Sequence, residues 1–134
     1  MTDPLAISLT VLHWQSIDAI MDNVAQTARA LDDENSATQA LQVREQGWRQ
    51  VGGWRGDDVF PPWPPSDQLA NVVLNADTWS FVLDGLIASI RTSESLLHNP
   101  QLNDASRAEQ QASIDLGSAV AALIQDAFKA VDNL

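Results

Sequence analysis

Gly52-Gly53-Trp54-Arg55-Gly56-Asp57-Asp58-Val59-Phe60-Pro61-Pro62-Trp63-Pro64-Pro65-Ser66-Asp67 divides the chain into two halves. Its prolines remove backbone donors and clash with a preceding helical turn, and its glycines make any regular element entropically costly. The stretch therefore reads as a crossover. On both sides of it apolar residues recur at helical spacing.

Upstream, Asp3 and Pro4 read as a helix start, a capping carboxylate followed by a residue whose missing donor costs little in a first turn. Leu5, Leu9, Leu12, Ile17, Ile20, Met21, Val24, Ala28 and Leu31 supply an apolar face and predict a helix over 4–31. Ile7-Ser8-Leu9-Thr10-Val11 alternates with a period of two, the pattern of a strand. A strand needs a partner and no convincing second one is found, so the helix is the expectation. Ser36 and Gln39 have capping-box spacing, and Ala37, Ala40, Leu41, Arg44, Trp48 and Val51 continue a second helix to about Gln50.

Downstream, Ser66 or Asp67 is the expected cap of a third helix, with Leu69, Val72, Val73, Ala76, Trp79, Val82, Leu83, Leu86, Ile87 and Ile90 on its face. Val72-Val73-Leu74 has strand propensity, yet the three-and-four spacing outruns a normal strand and predicts one helix over 66–93. Asp77-Thr78 permits a second start. Asn99-Pro100 marks a turn. Ser106 and Glu109 form another capping box, and Ala108, Ala112, Leu116, Ala119, Val120, Leu123, Ala127 and Val131 predict a fourth helix over 105–131. The expected fold is all-α: one domain over 1–134, a four-helix bundle with a Gly/Pro/Trp-rich crossover between helices 2 and 3. No internal repeat is apparent.

Composition narrows the chemistry. With no cysteine, thiolate catalysis, disulfides and iron–sulfur clusters are excluded. The 18 acidic and 7 basic residues give a net charge of -11, which opposes direct binding to nucleic acid or anionic lipid and favours a basic protein partner. No apolar run reaches membrane-spanning length and the N-terminus lacks a signal-like basic region, so a cytoplasmic location is the expectation. No cofactor or metal is expected. His13 and His98 are the only histidines, and Asp18 and Asp22, four apart, have no Glu-x-x-His pattern beside them and read as a solvated face. The glycines lack the phosphate-loop order, and Asp57-Asp58 lacks the ligand progression of a calcium loop. No serine stands in a recognisable nucleophilic setting, so the chain reads as a non-enzyme.

The aromatic series Trp48, Trp54, Phe60 and Trp63 carries the functional reading. Indoles dominate interfaces when they enter complementary pockets, Arg49 or Arg55 would add directional hydrogen bonds, and Asp57 and Asp58 join Arg55 as candidate partner-binding residues. The competing role for the same rings is sealing one end of the helices. Trp54-Arg55-Gly56 resembles the Trp-x-Gly element of the small helical proteins exported by the ESX, or type VII, route, which implies a turn between two helices. That resemblance covers these positions alone. The chain departs from it in the Pro-rich crossover and in having no tyrosine for the C-terminal export signal, of which Phe128 and Asp132 keep only the outer spacing. The expected function is a noncatalytic protein–protein interaction domain, one version being an acidic inhibitor or adaptor of a basic, nucleic-acid-binding protein. A small helical enzyme subunit or ligand-binding bundle is one alternative. A homo-oligomeric assembly protein, at its simplest a homodimer, is the other.

Overall fold

The computed structural model describes residues 3–132 and is mostly helical, with a small two-stranded sheet. Strand β1 (Pro4–Thr10) runs directly into helix α1 (Val11–Ala30), and α2 (Glu34–Gln50) follows. After the crossover, β2 (Leu69–Asn75) runs directly into α3 (Ala76–Leu97), and α4 (Asp104–Asp132) follows.

The two strands correct the all-α expectation. β1 and β2 pair antiparallel with Ile7 opposite Val72. The predicted helices over 4–31 and 66–93 therefore begin only after a strand each. Leu5, Ile7 and Leu9 turn inward with Leu74, Val72 and Ala70, while Ala6, Ser8, Asn71 and Val73 lie exposed. The partner that made the period-two alternation worth obeying lies beyond the crossover, where local spacing could not show it.

Flanking hydrogen bonds extend the ladder. Ala76 N–H donates to Asp3 O at 3.0 Å, and Val11 N–H to Gln68 O at 2.9 Å. They fix its phase, so that Pro4, Ala6, Ser8 and Thr10 turn their backbone groups away from β2. Pro4 sits where its missing N–H removes no ladder bond. The outer edge of β2 is covered at Val73 by the side-chain amide of Gln50, which donates to Val73 O at 2.9 Å and accepts from Val73 N–H at 2.8 Å. Ala6, which faces Val73 across the ladder, and Ser8 have no such cover: among the described residues no protein group pairs with their backbone N–H groups.

Caps shift with the elements. Thr10, not Asp3, starts the first helix: its hydroxyl accepts from His13 N–H at 3.2 Å while His13 Nδ1 accepts from Thr10 N–H at 3.2 Å. Asp33, not Ser36, caps α2 by accepting from Ser36 N–H at 3.1 Å, and Asn103, not Ser106, takes the same role for α4 at 2.7 Å. The Ser36 side chain, and then the Ser36 backbone N–H, donate to the Asp33 carboxylate and hold it below its ordinary pKa.

The order strand, helix, helix occurs twice, which corrects the sequence reading of no repeat. At one constant offset Ile7 matches Val72, Leu9 matches Leu74, Trp14 matches Trp79, Ile17 matches Val82 and Met21 matches Leu86, and all of them are buried. Ile7 and Val72 are themselves opposed in the ladder, as a two-fold axis between the halves requires. Within each half the helices form a hairpin, α1 on α2 and α3 on α4, and α1 meets α3 between them. Sequence identity is confined to scattered positions such as Leu9 and Leu74 or Trp14 and Trp79, so the repeat lives in burial and not in letters.

The two central tryptophans show where the symmetry breaks. Their rings meet edge to face at 6.3 Å and 84°. Trp79 Nε1 donates to Leu5 O at 2.8 Å, tying α3 to β1. Among the described residues the buried Trp14 Nε1 has no hydrogen-bond partner, and its indole lies against α2 at Gly47. A Cβ on Gly47 would overlap that ring.

Replacing a helical glycine with alanine ordinarily stabilises a helix by about 1 kcal/mol. At Gly47 the sign reverses, and Gly47→Ala is expected to cost about 1–3 kcal/mol by overpacking against Trp14. Trp79→Phe is expected to cost about 1 kcal/mol more than Trp14→Phe, since only Trp79 loses a hydrogen bond. Urea unfolding of the three variants measures both. A neutral or stabilising Gly47→Ala, or equal costs at the two tryptophans, contradicts this packing.

Candidate functional site

The crossover folds back on the last turns of α2 through glycine. Val51 and Gly52 both donate to Gly47 O, at 2.8 and 3.2 Å. Gly53 then takes φ 74, a left-handed angle that reverses the chain and returns Trp54 N–H to Trp48 O at 2.7 Å. A Cβ on Gly52 would stand 3.0 Å from Trp48 O and 3.1 Å from its ring, so the absent side chain is what lets the backbone pass over that indole. A second reversal at Gly56, φ 91, is closed by Trp54 Nε1 donating to Asp57 O at 2.7 Å.

These turns assemble the four aromatics named from the sequence. Trp63 stacks on Trp48 at 4.1 Å and 25°, Phe60 tilts onto Trp48 at 4.8 Å and 51°, and Trp54 stacks on Phe60 at 4.7 Å and 27°. Trp48, carried by α2, is the post around which the loop is wound. Arg49 completes the series, its guanidinium 5.5 Å from the Trp54 ring and bonded to Glu45 at 2.7 Å.

The loop then reaches the start of α1. Ser66 O accepts Leu12 N–H at 2.9 Å, satisfying a first-turn donor of α1. Ser66 therefore serves α1 and does not begin the helix expected of it. The segment also leads into β2, not into a helix, which separates it from the Trp-x-Gly turn of the ESX-route proteins.

Burial divides the candidate residues into two groups. Trp48, Trp54 and Trp63 are half-buried, whereas Phe60 is 52% and Val59 78% exposed. Arg55, Asp57 and Asp58 are exposed, and among the described residues their side chains form no ion pair. Asp57 contributes its backbone carbonyl alone. Sequence reasoning thus found the rings, but Leu41, Arg44 and Glu45 also belong to the site. With Trp48, Trp54 and Phe60 they line an open, largely apolar cavity of about 460 Å³. The spacing of Leu41, Glu45 and Trp48 on one helix was the available signal.

Arg44 anchors this wall. It bonds Asp18 at 3.0 and 3.4 Å and Asp22 at 3.0 Å, so the carboxylates that read as a solvated face are in fact bridged from α2. The hydrogen bond to Asp18 raises the pKa of the guanidinium, against the opposing effect of partial burial. Arg44 is thereby committed, and Glu45 remains the carboxylate of the cavity, shared only with half-exposed Arg49.

Elsewhere the chemistry is sparse. His13 is a capping residue and His98 an exposed one at the end of α3. Among the described residues no three His, Cys, Asp or Glu side chains gather as metal ligands, and no helix is long and apolar enough to cross a membrane. No family model, curated protein or solved structure matches the chain.

Proposed function

We propose that the protein is a noncatalytic interaction module whose recognition surface is the aromatic crossover, carried on a four-helix bundle closed at one end by the sheet. The observation that supports this reading is the partial exposure of a fixed aromatic stack. Phe60 and Val59 stand in water although Trp48 and Trp54 hold the loop in place, so the apolar surface is pre-organised and pays little ordering entropy on binding. The net charge of -11 favours a basic partner, and an inhibitor or adaptor is the role this combination suits.

The test is capture from a cell extract with the intact protein and with a Val59→Ser, Phe60→Ser variant whose retained fold is established by circular dichroism and urea unfolding. Loss by the variant of a basic protein that the parent retains is the expected result. An unchanged set of captured proteins contradicts the reading.

One observation favours a second reading, assembly with a second copy. The outward N–H and C=O groups of Ala6 and Ser8 are self-complementary: set antiparallel, Ala6 of one strand faces Ser8 of the other. Pro4 would face Thr10, and neither has a donor to spare, because Pro4 has none and Thr10 N–H is held by His13. β1 also carries no charged residue to guard its edge. Light scattering across concentration at raised salt, which screens the acidic surfaces, is expected under this reading to show a dimer that Ser8→Pro abolishes. A strict monomer under those conditions excludes it.

A further inference from the structure

The cavity between α2 and the aromatic stack has the makings of a cation site. Leu41, Trp48 and Phe60 offer apolar surface for an aliphatic stem, and Glu45 supplies the one carboxylate among the lining residues. The arrangement already holds a guanidinium from its own chain. Arg49 bonds Glu45 at 2.7 Å and stands 5.5 Å from the Trp54 ring, yet it does not line the cavity, which stays open beside it. The other basic residue there, Arg44, is neutralised by Asp18 and Asp22 and so does not repel an incoming charge as a free guanidinium would.

We infer that this cavity takes a lysine or arginine side chain of a basic partner, in competition with Arg49 for Glu45. The inference rests on the interaction-module reading and names the chemistry of its contact. The stem lies against Leu41 and Phe60, and the head group reaches Glu45 beside Trp48 and Trp54. Charge complementarity supports this occupant over a neutral apolar one: the chain carries -11 overall and places a carboxylate at the cavity wall. Arg49 then acts as a resident competitor, lowering affinity for single cations and leaving tight binding to partners that also engage Val59 and Phe60.

The experiment is a fluorescence titration, read from the crossover tryptophans, with the blocked tetrapeptide of four arginines and its four-lysine counterpart. Glu45→Gln is expected to weaken binding by about tenfold, the loss of one charge-assisted contact. Arg49→Ala is expected to strengthen it by about threefold, the release of one exposed ion pair. Glu109→Gln, at an exposed position of α4 that does not line the cavity, removes the same charge and is expected to change binding by less than about twofold. Circular dichroism of each variant establishes that the fold is retained. Equal effects of Glu45→Gln and Glu109→Gln, or no gain on Arg49→Ala, would overturn the cavity assignment while leaving a basic partner in place. Absence of binding by the parent to either peptide would overturn the cavity assignment, whereas the interaction-module reading answers to the capture experiment.

Discussion

The pairing of β1 with β2 is the constraint on which the rest depends. It joins residues on opposite sides of the crossover, with Ile7 against Val72, and it sets where α1 and α3 begin. A two-stranded ladder in water is marginal by itself. Here its inner face is buried with Trp14 and Trp79, and Trp79 bonds Leu5 O, so strand and helix hold each other in place. Through Val11 and Leu12, whose amides donate to Gln68 and Ser66, the same junction fixes the far end of the crossover. The aromatic stack is therefore tethered twice, at α2 and at the sheet.

Repetition explains why so small a sheet suffices. Two strand–helix–helix units meet about a pseudo-two-fold at the centre of the ladder, and each contributes a tryptophan to the shared core. The halves differ where the first unit is specialised. Gly47 admits the Trp14 ring to α2, Gln50 covers the edge of β2, and Trp48 supports the crossover, all within the last turns of α2. That short run makes the core, the sheet edge and the candidate site interdependent.

Much of the helical framework was legible in local spacing. The span of α2, the turn at Asn99-Pro100, the span of α4 and the break at the crossover follow from residues close together in sequence. The strands were not legible in the same way. Leu5 and Leu9, or Leu69, Val72 and Val73, satisfy both a helical and an alternating pattern, and only a partner far along the chain decides between them. The site divides likewise. Composition identified Trp48, Trp54, Phe60 and Trp63, but their stacking order follows from the left-handed turns at Gly53 and Gly56. The pairing of Asp18 and Asp22 with Arg44 crosses from α1 to α2 and left no trace in spacing.

Residues 4–10 and 69–75 form an antiparallel ladder and are not the first turns of two helices. Cross-strand nuclear Overhauser contacts test it most directly. Hα–Hα contacts are expected between Ala6 and Val73 and between Ser8 and Asn71, the pairs that turn their backbone groups outward. Helical contacts between residues three and four apart in both segments, with those cross-strand contacts missing, would contradict it.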